Sequence, residues 1–565
     1  MDTWDYLIVG SGFGGSVSAL RLVEKGHRVL MLEKGRRFAA HDFPRTNWDL
    51  RRWLWMPRLG LRGPFQMSFL RHITALSGVG VGGGSLVYAN TLPVPGDGFF
   101  ESPTWRHLAD WRVELAPCYA RARAMLGATP YPGRTWPDEV MQELAADLGL
   151  EHELRPTDVG VFFGKPGVTV PDPYFGGEGP ARTGCVQCGG CMLGCRLGAK
   201  NTLDQNYLYL AEKRGLRIEA EHEVTWIRPV PDGYEVTALE GPARWWRARR
   251  KRVFHARSVV LAGGVLGTVP LLLRLKGDAG GLPRISSRLG AFVRTNSEVL
   301  MGIVSERRDR RMSEGVAITS ILQTDEHSSL EPVRYPDGSG FFRLLMAPHG
   351  PGATAFERMW NALRFMLRNP RRSLKAWWVP DFARHTMILL YMRTIDSHLS
   401  LRPGRLFGRM RSVLTHGPAP TAAIPEATEL ADRIAEKVDG FPGSLATETL
   451  LGIPTTAHVL GGCVMGASPE EGVIGPDHQV WGYPGLYVVD GSAISANPGV
   501  NPSLTICALA ERAMERVPAK VETERRPVRV AAREDSAADA KLCRKPAGAN
   551  SPTPRIVSPI DAATS

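Results

Sequence analysis

The feature that most constrains this chain lies at its start. An apolar run, Tyr6-Leu7-Ile8-Val9, leads into Gly10-Ser11-Gly12-Phe13-Gly14-Gly15, and a second apolar stretch, Arg28 to Leu32, ends at Glu33. This periodicity predicts strand, turn, helix and strand, one βαβ unit. Gly10, Gly12 and Gly15 fit G-x-G-x-x-G directly after a strand, and Glu33 stands where an acidic side chain meets a ribose hydroxyl pair. Such a turn aims backbone amides at a pyrophosphate, and the glycines keep side chains out of its path. A turn serving packing alone would need the glycines but neither the helix nor the acid. The motif by itself serves NAD and FAD alike.

At 565 residues, 43% of them hydrophobic, the chain is too long for one ordinary domain and can close a large core. Its formal charge of +12 favours an anionic partner surface. No nucleic-acid motif is present, and basic residues mix with tryptophans in two segments, which favours lipid over nucleic acid. No run approaches the ~20 apolar residues that span a bilayer, so any membrane contact is expected to be peripheral. Met1 runs straight into the first strand without a secretory leader, so a cytoplasmic location, with peripheral membrane contact, is expected. The eight cysteines then read as free thiols or metal ligands.

Further along, Met56 to Leu92 is glycine-rich and contains Gly78-Val79-Gly80-Val81-Gly82-Gly83-Gly84-Ser85, where backbone must approach something closely. Helices are expected at 105–126, 206–214 and 503–516, and strands at 223–228, 258–262, 341–346 and 387–392. The 258–262 strand is closed by Gly263-Gly264, a second turn of dinucleotide-fold type. These signals divide the chain into a nucleotide-binding part at 1–95 and 185–334, a cap segment at 96–184, and a substrate-binding segment at 335–440. A closing segment at 441–517 and a disordered tail at 518–565 complete the division. The expected class is α/β, a Rossmann-type domain interleaved with an α+β substrate-binding domain.

Near the C-terminus stand Thr456-Ala457-His458-Val459-Leu460-Gly461-Gly462-Cys463, Tyr487-Val488-Val489-Asp490-Gly491-Ser492 and Gly499-Val500-Asn501-Pro502-Ser503-Leu504-Thr505. In order and spacing these, with Gly82-Gly83-Gly84-Ser85-Leu86-Val87, resemble the glucose–methanol–choline (GMC) family of FAD-dependent alcohol oxidoreductases, in its bacterial cholesterol-oxidase-like branch. The resemblance covers residues 5 to about 517. It implies FAD as cofactor, with Gly83, Gly84, Ser85 and Asn90 near the flavin and Val224 near the adenine. Asp490, Gly491 and Pro502 are implied against the ring and ribityl chain, and His458 and Asn501 as the catalytic pair. An imidazole titrating near neutrality and a neutral amide suit the removal of a hydroxyl proton while the carbinol hydrogen leaves as hydride.

Some enzymes resembling this chain also move a steroid double bond with a carboxylate. The candidate stretch Phe341-Phe342-Arg343-Leu344-Leu345-Met346-Ala347-Pro348 offers none, and Glu357 and Asp396 are the nearest alternatives, so isomerisation is not expected. Arg51-Arg52-Trp53-Leu54-Trp55-Met56-Pro57-Arg58 and the segment from Arg368 to Trp378 pair cations with aromatics. They fit interfacial segments or lid segments equally. Cys185, Cys188, Cys191 and Cys195 follow C-x2-C-x2-C-x3-C, the ferredoxin spacing, with Arg196 in place of proline. An iron–sulfur cluster, a zinc site and a metal-free loop are all open. Three functions remain: oxidase of a sterol or similar lipid alcohol with oxygen as acceptor, dehydrogenase of a sugar or aliphatic alcohol using another acceptor, and non-catalytic flavin or lipid binder.

Overall fold

The strand Thr3–Val9 lies at the heart of the first sheet, and Leu7 and Ile8 have no exposed surface. In the computed structural model, residues 3–520 are described, apart from 243–247, 349–351, 353, 369, 371–378, 396, 405–409, 446–447 and 449–451. The strand pairs in parallel with Val29–Glu33 on one side and Arg250–Leu261 on the other. Arg217–Ala220 extends the parallel set beyond Val29–Glu33, and Leu486–Val488 pairs with the end of Arg250–Leu261. Strands covered on both faces read as unbroken apolar runs, which is why Tyr6 to Val9 and Val29 to Leu32 do not alternate. An antiparallel extension, Gly233–Glu240 and His222–Val230, completes the sheet.

The helix Phe13–Glu24 packs against the last helix, Ser503–Glu515, which also packs on Trp111–Leu126. Their seam holds one buried carboxylate: Glu511 accepts from Arg21 Nε at 2.7 Å and from the Tyr207 hydroxyl at 2.8 Å. The expected helices at 105–126 and 206–214 are shorter, Trp111–Leu126 and Tyr207–Lys213. Asp110 caps the former by accepting from Val113 N, which sets its start.

The second sheet is antiparallel, in the order Met346–Pro348, Gly440–Leu445, Val299–Ser305, Thr386–Arg393, Ser328–Val333, Ser320–Asp325, Leu154–Pro156. Its core joins Met301, Ile303, Leu389 and Tyr391 to the helices Trp136–Leu148 and Pro425–Lys437. Two expectations change here. Strands between 299 and 333 belong to this substrate sheet, not to the nucleotide-binding part assigned to 185–334, because they pair with Thr386–Arg393 rather than with Arg250–Leu261. Residues expected as a strand at 341–346 form a 3-10 turn, Phe341–Leu345, with only Met346–Pro348 extended. Phe341 and Phe342 there pack against Trp53, so aromatic contact rather than sheet pairing fixes the turn. Asp396, Cys543, the tail from 521 and most of Arg368 to Trp378 lie outside the described residues. No helix among the described residues is long and apolar enough to cross a membrane.

Candidate active site

The glycines of the first turn divide by what a side chain would strike. A Cβ on Gly10, whose φ is +97°, would stand 2.5 Å from the Ala262 carbonyl oxygen, and one on Gly15 2.2 Å from the Gly10 carbonyl oxygen. These two let the helix close onto the sheet. Gly12 differs: it has φ −72°, and a Cβ there would meet only the Ala262 carbonyl oxygen at 3.8 Å. Nothing in the protein requires glycine at 12, which points to a group from outside. Glu33 ends its strand with Oε2 accepting from Ser11 N at 3.0 Å and Ser11 Oγ at 2.8 Å, while Oε1 accepts from Gly35 N at 2.8 Å. Its carboxylate thus sets the turn's shape as well as standing at the ribose position.

The second glycine run packs directly on the first. A Cβ on Gly83 would lie 2.6 Å from Gly12 Cα, and Ser11 Oγ accepts from Gly82 N at 3.1 Å. The Ser85 hydroxyl is fully engaged, donating to the Gly82 carbonyl and accepting from Leu203 N. Asn90 is the opposite case. It is completely buried at φ +58°, and neither its amide nitrogen nor its oxygen has a partner in the protein. An unpaired buried polar group costs about 1–3 kcal/mol, so an orphan amide marks space for a ligand's donors and acceptors. Gly12 and Asn90 fit FAD: the open glycine would admit its pyrophosphate, and the orphan amide would pair with its polar atoms.

Asp490 closes the site from the C-terminal side. Oδ2 accepts from Gly264 N and the Thr268 hydroxyl, and Oδ1 from Ser492 N and the Ser492 hydroxyl. It therefore clamps the second dinucleotide-type turn to the Gly491 loop. Pro502 stands before the last helix and lines the cavity. Val224 sits at a bulge in His222–Val230, which packs against Val29–Glu33 at the far, adenine end.

The cavity measures about 1580 Å3 including its open mouth and is lined mostly by apolar side chains, among them Leu300, Val333 and Leu390 of the second sheet and Phe65 and Leu76 of a small separate sheet, with His458 and Asn501 in its wall. His458 Nε2 faces Asn501 Nδ2 at 3.5 Å, too long for a firm bond and open to a hydroxyl placed between them. Its other nitrogen is fixed: Nδ1 donates to Glu298 Oε2 at 2.6 Å, while Glu298 Oε1 accepts from Ala457 N at 2.8 Å. Burial disfavours the imidazolium, but the charge and hydrogen bond of Glu298 outweigh it and hold His458 above the usual 6.5. Glu298 is held below the usual carboxylate range, the His458 contact overcoming burial. Asn296 Nδ2 donates to the Val500 carbonyl at 2.9 Å and so ties down the loop carrying Asn501.

Sequence reasoning missed Glu298 and Asn296. The available signal was polarity at the entry to the apolar strand Val299–Ser305, where surface loops and buried partners look alike. It also missed a carboxylate. Glu331 lies on Ser328–Val333, on the same strand face as the cavity-lining Val333, and is completely buried. Asn501 and His458 are its polar neighbours, and burial pushes it up to about 8. The 341–348 segment indeed has no glutamate, and Glu357 is exposed on the helix Ala355–Arg368. The carboxyl that the structure brings to the site is thus neither Glu357 nor one from 341–348 but Glu331, from a strand assigned to the nucleotide-binding part of the chain.

The structure gives the cysteine spacing no support as a metal centre. Among the described residues no group of three or more metal-ligating side chains is arranged to hold an ion. Cys185, Cys191 and Cys195 pack into an apolar cluster with Tyr131, Val159 and Val316, and Cys188 is exposed. Burial pushes Cys185 up to about 11 and Cys191 up to about 12, so these are neutral thiols. Lys200 secures the loop, its Nζ donating to the carbonyls of Leu86, Tyr88 and Cys191. The cysteine loop is thereby a buttress behind the second glycine run.

A Rossmann turn, a glycine run stacked on it, and a histidine–asparagine pair in an apolar cavity define a flavin-dependent alcohol oxidoreductase. Family models agree: "GMC oxidoreductase" matches residues 181–287 and 409–510, and "NAD(P)-binding Rossmann-like domain" matches residues 8–51. A cholesterol oxidase of Mycobacterium tuberculosis is 47% identical over 539 residues, 93% of each chain. One from Acinetobacter baumannii is 43% identical, covering 92% of this chain and 95% of that one. Among solved structures, the FAD-containing formate oxidase of Aspergillus oryzae superposes with a TM-score of 0.60 at 14% identity, covering 91% of this chain and 98% of that one. The chain belongs to the GMC oxidoreductase family and is an FAD-dependent oxidoreductase acting on CH–OH donors.

Proposed function

We propose that the protein oxidises the 3β-hydroxyl of a sterol, or of a lipid alcohol of like bulk, to the ketone, with oxygen as acceptor. The observation that carries the reading is the cavity: its wall is mostly apolar, with His458 and Asn501 among its few polar side chains. A sugar would leave most of its hydroxyls unpaired against such walls, at a cost of about 1–3 kcal/mol each. The relatives at 43–47% identity are cholesterol oxidases, which supports substrate and acceptor together. A dehydrogenase relaying electrons through the cysteines draws no support from thiols packed in an apolar cluster.

FAD bound here supplies the hydride acceptor. The chain's own residues do the rest. Asn501 Nδ2 donates to the substrate oxygen, and His458 Nε2 takes the hydroxyl proton, with Nδ1–H held on Glu298 so that the lone pair points into the cavity. Apolar walls exclude water and hold the fused rings. Cholesterol delivered from cyclodextrin should reduce the flavin and give the ketone; good turnover of a sugar or a short alcohol with none of any sterol would overturn the reading.

Glu331 bears on the product. A carboxyl held near 8 is protonated at neutral pH and cannot take a proton from a ring carbon. The unconjugated ketone should therefore accumulate first at pH 7, with conjugation quickening above pH 8. Enone absorbance rising in step with flavin turnover at pH 7 would show that Glu331 ionises once substrate is bound.

A further inference from the structure

The helix Ala355–Arg368 is built inside out. Its side chains turned toward the protein include Arg358, whose Nη1 donates to the Gly352 carbonyl, and Ala362. Phe356, Met359, Trp360, Leu363, Met366 and Leu367 face solvent, with Phe356 77% and Leu367 71% exposed. At 100° per residue these six positions fall within an arc of about 120°, opposite the buried face. Arg364, Arg368 and, between them, Glu357 lie exposed along one shoulder of that arc, which leaves the shoulder net positive. Six large apolar side chains on one helical face form a contiguous patch, and patches of that kind mark contact surfaces.

The helix sits beside the cavity mouth. It packs on Met346–Pro348, whose Met346 lines the cavity, and the preceding Leu344 is exposed. On the cavity's other wall, Phe65, Met67 and Phe69 share one face of the strand Phe65–Phe69. The first two line the cavity and Phe69 is 69% exposed, so the row runs from interior to solvent.

We propose that this helix lies in the headgroup region of an anionic lipid bilayer, its apolar arc in the acyl boundary, and so opens the cavity onto the membrane. Charge selects this occupant over a second copy of the chain. With a net charge of +12, two copies repel, whereas acidic lipid headgroups attract both the molecule and the arginine shoulder. An aromatic and aliphatic face bordered by arginine is the composition of an interfacial helix. The inference rests on the sterol reading only for its purpose, because the exposed face exists whatever the substrate.

The test uses full-length, FAD-loaded protein and sterol-free vesicles of phosphatidylcholine with and without phosphatidylglycerol. Wild type should sediment with the anionic vesicles, less so at high salt, and W360E/L367E should partition at least ~10-fold more weakly. Both positions are exposed, so flavin content and turnover of cyclodextrin-delivered cholesterol should be unchanged, while turnover of vesicle cholesterol falls with binding. Equal partition of variant and wild type, or no binding of wild type, would overturn the proposal. So would a wild-type dimer that the variant splits without change in vesicle binding, which would assign the face to a second copy. Failure of the sterol reading would look different: vesicle binding intact, and no turnover even from cyclodextrin.

Discussion

The two ends of the cofactor groove handle buried polarity in opposite ways. Where the glycine turns frame the groove, the side chains that shape it are engaged within the protein: Glu33 by Ser11 and Gly35, Ser85 by Gly82 and Leu203, Asp490 by four donors. Contact with the cofactor is left to bare backbone. At the catalytic end Asn90, the Asn501 amide oxygen and both oxygens of Glu331 lack a well-formed partner. The difference separates residues that shape the groove from residues reserved for what enters it.

Substitutions can break or sharpen that contrast. The largest effect is expected at Gly12. A Cβ at Gly12→Val meets its own chain only at ordinary contact distance, the Ala262 carbonyl oxygen at 3.8 Å, so the fold should persist while FAD is lost; retained stoichiometric flavin absorbance would sever the glycine from the pyrophosphate. Gly10→Ala, by contrast, strikes the Ala262 carbonyl and should lower the melting temperature of the apoprotein itself.

Next come the catalytic pair. His458→Ala and Asn501→Ala should each slow flavin reduction by substrate ~10²-fold or more with FAD still bound, and near-normal stopped-flow rates would remove them from the mechanism. A smaller change is expected at Glu298, which never touches substrate. His458 must be neutral to accept a proton, and Glu298 raises its pKa, so activity is lost as pH falls through a value above the usual 6.5. Glu298→Gln removes the raising charge. It should slow turnover ~10-fold and move the acid limb of kcat/KM to lower pH; an unmoved limb would reduce Glu298 to a structural partner.

The mildest effect is expected for Glu331→Gln, which keeps a donor beside Asn501. Oxidation should stay within ~3-fold of wild type, while Glu331→Leu, which removes the polar neighbour of Asn501, costs ~10-fold. A Glu331→Gln variant as slow as His458→Ala would make the carboxyl a participant in oxidation.

The contrast also explains what was legible in the sequence. Backbone-driven contact needs glycine, and glycine spacing is a linear signal, so Gly10, Gly12, Gly83 and Gly84 were found. His458 and Asn501 were found through flanking motifs. Glu298 and Glu331 sit in strands of the second sheet, where a glutamate facing a cavity and one facing solvent share the same local pattern, and only the pairing with Thr386–Arg393 turns Glu331 inward. The cysteine run misled because ligand spacing records possible reach, whereas the direction each thiol takes is set by the apolar cluster around it. The exposed helix was not visible: the cation–aromatic segment singled out in the sequence begins at Arg368, where the helix ends, and which face is buried is decided by Arg358.

The seam between the first and last helices has a consequence for synthesis. Arg21 and Glu511 are 490 residues apart, and Lys520 N donates to the Lys25 carbonyl. Asn501 and Pro502, which begin that last helix, gain their positions only when it docks onto a helix made at the very start of translation. A ribosome must therefore release nearly the whole chain before the active site exists, and the nucleotide sheet waits with an uncovered apolar flank until then. Truncation by even the final helix would leave a chain able to fold most of its strands and unable to assemble its chemistry.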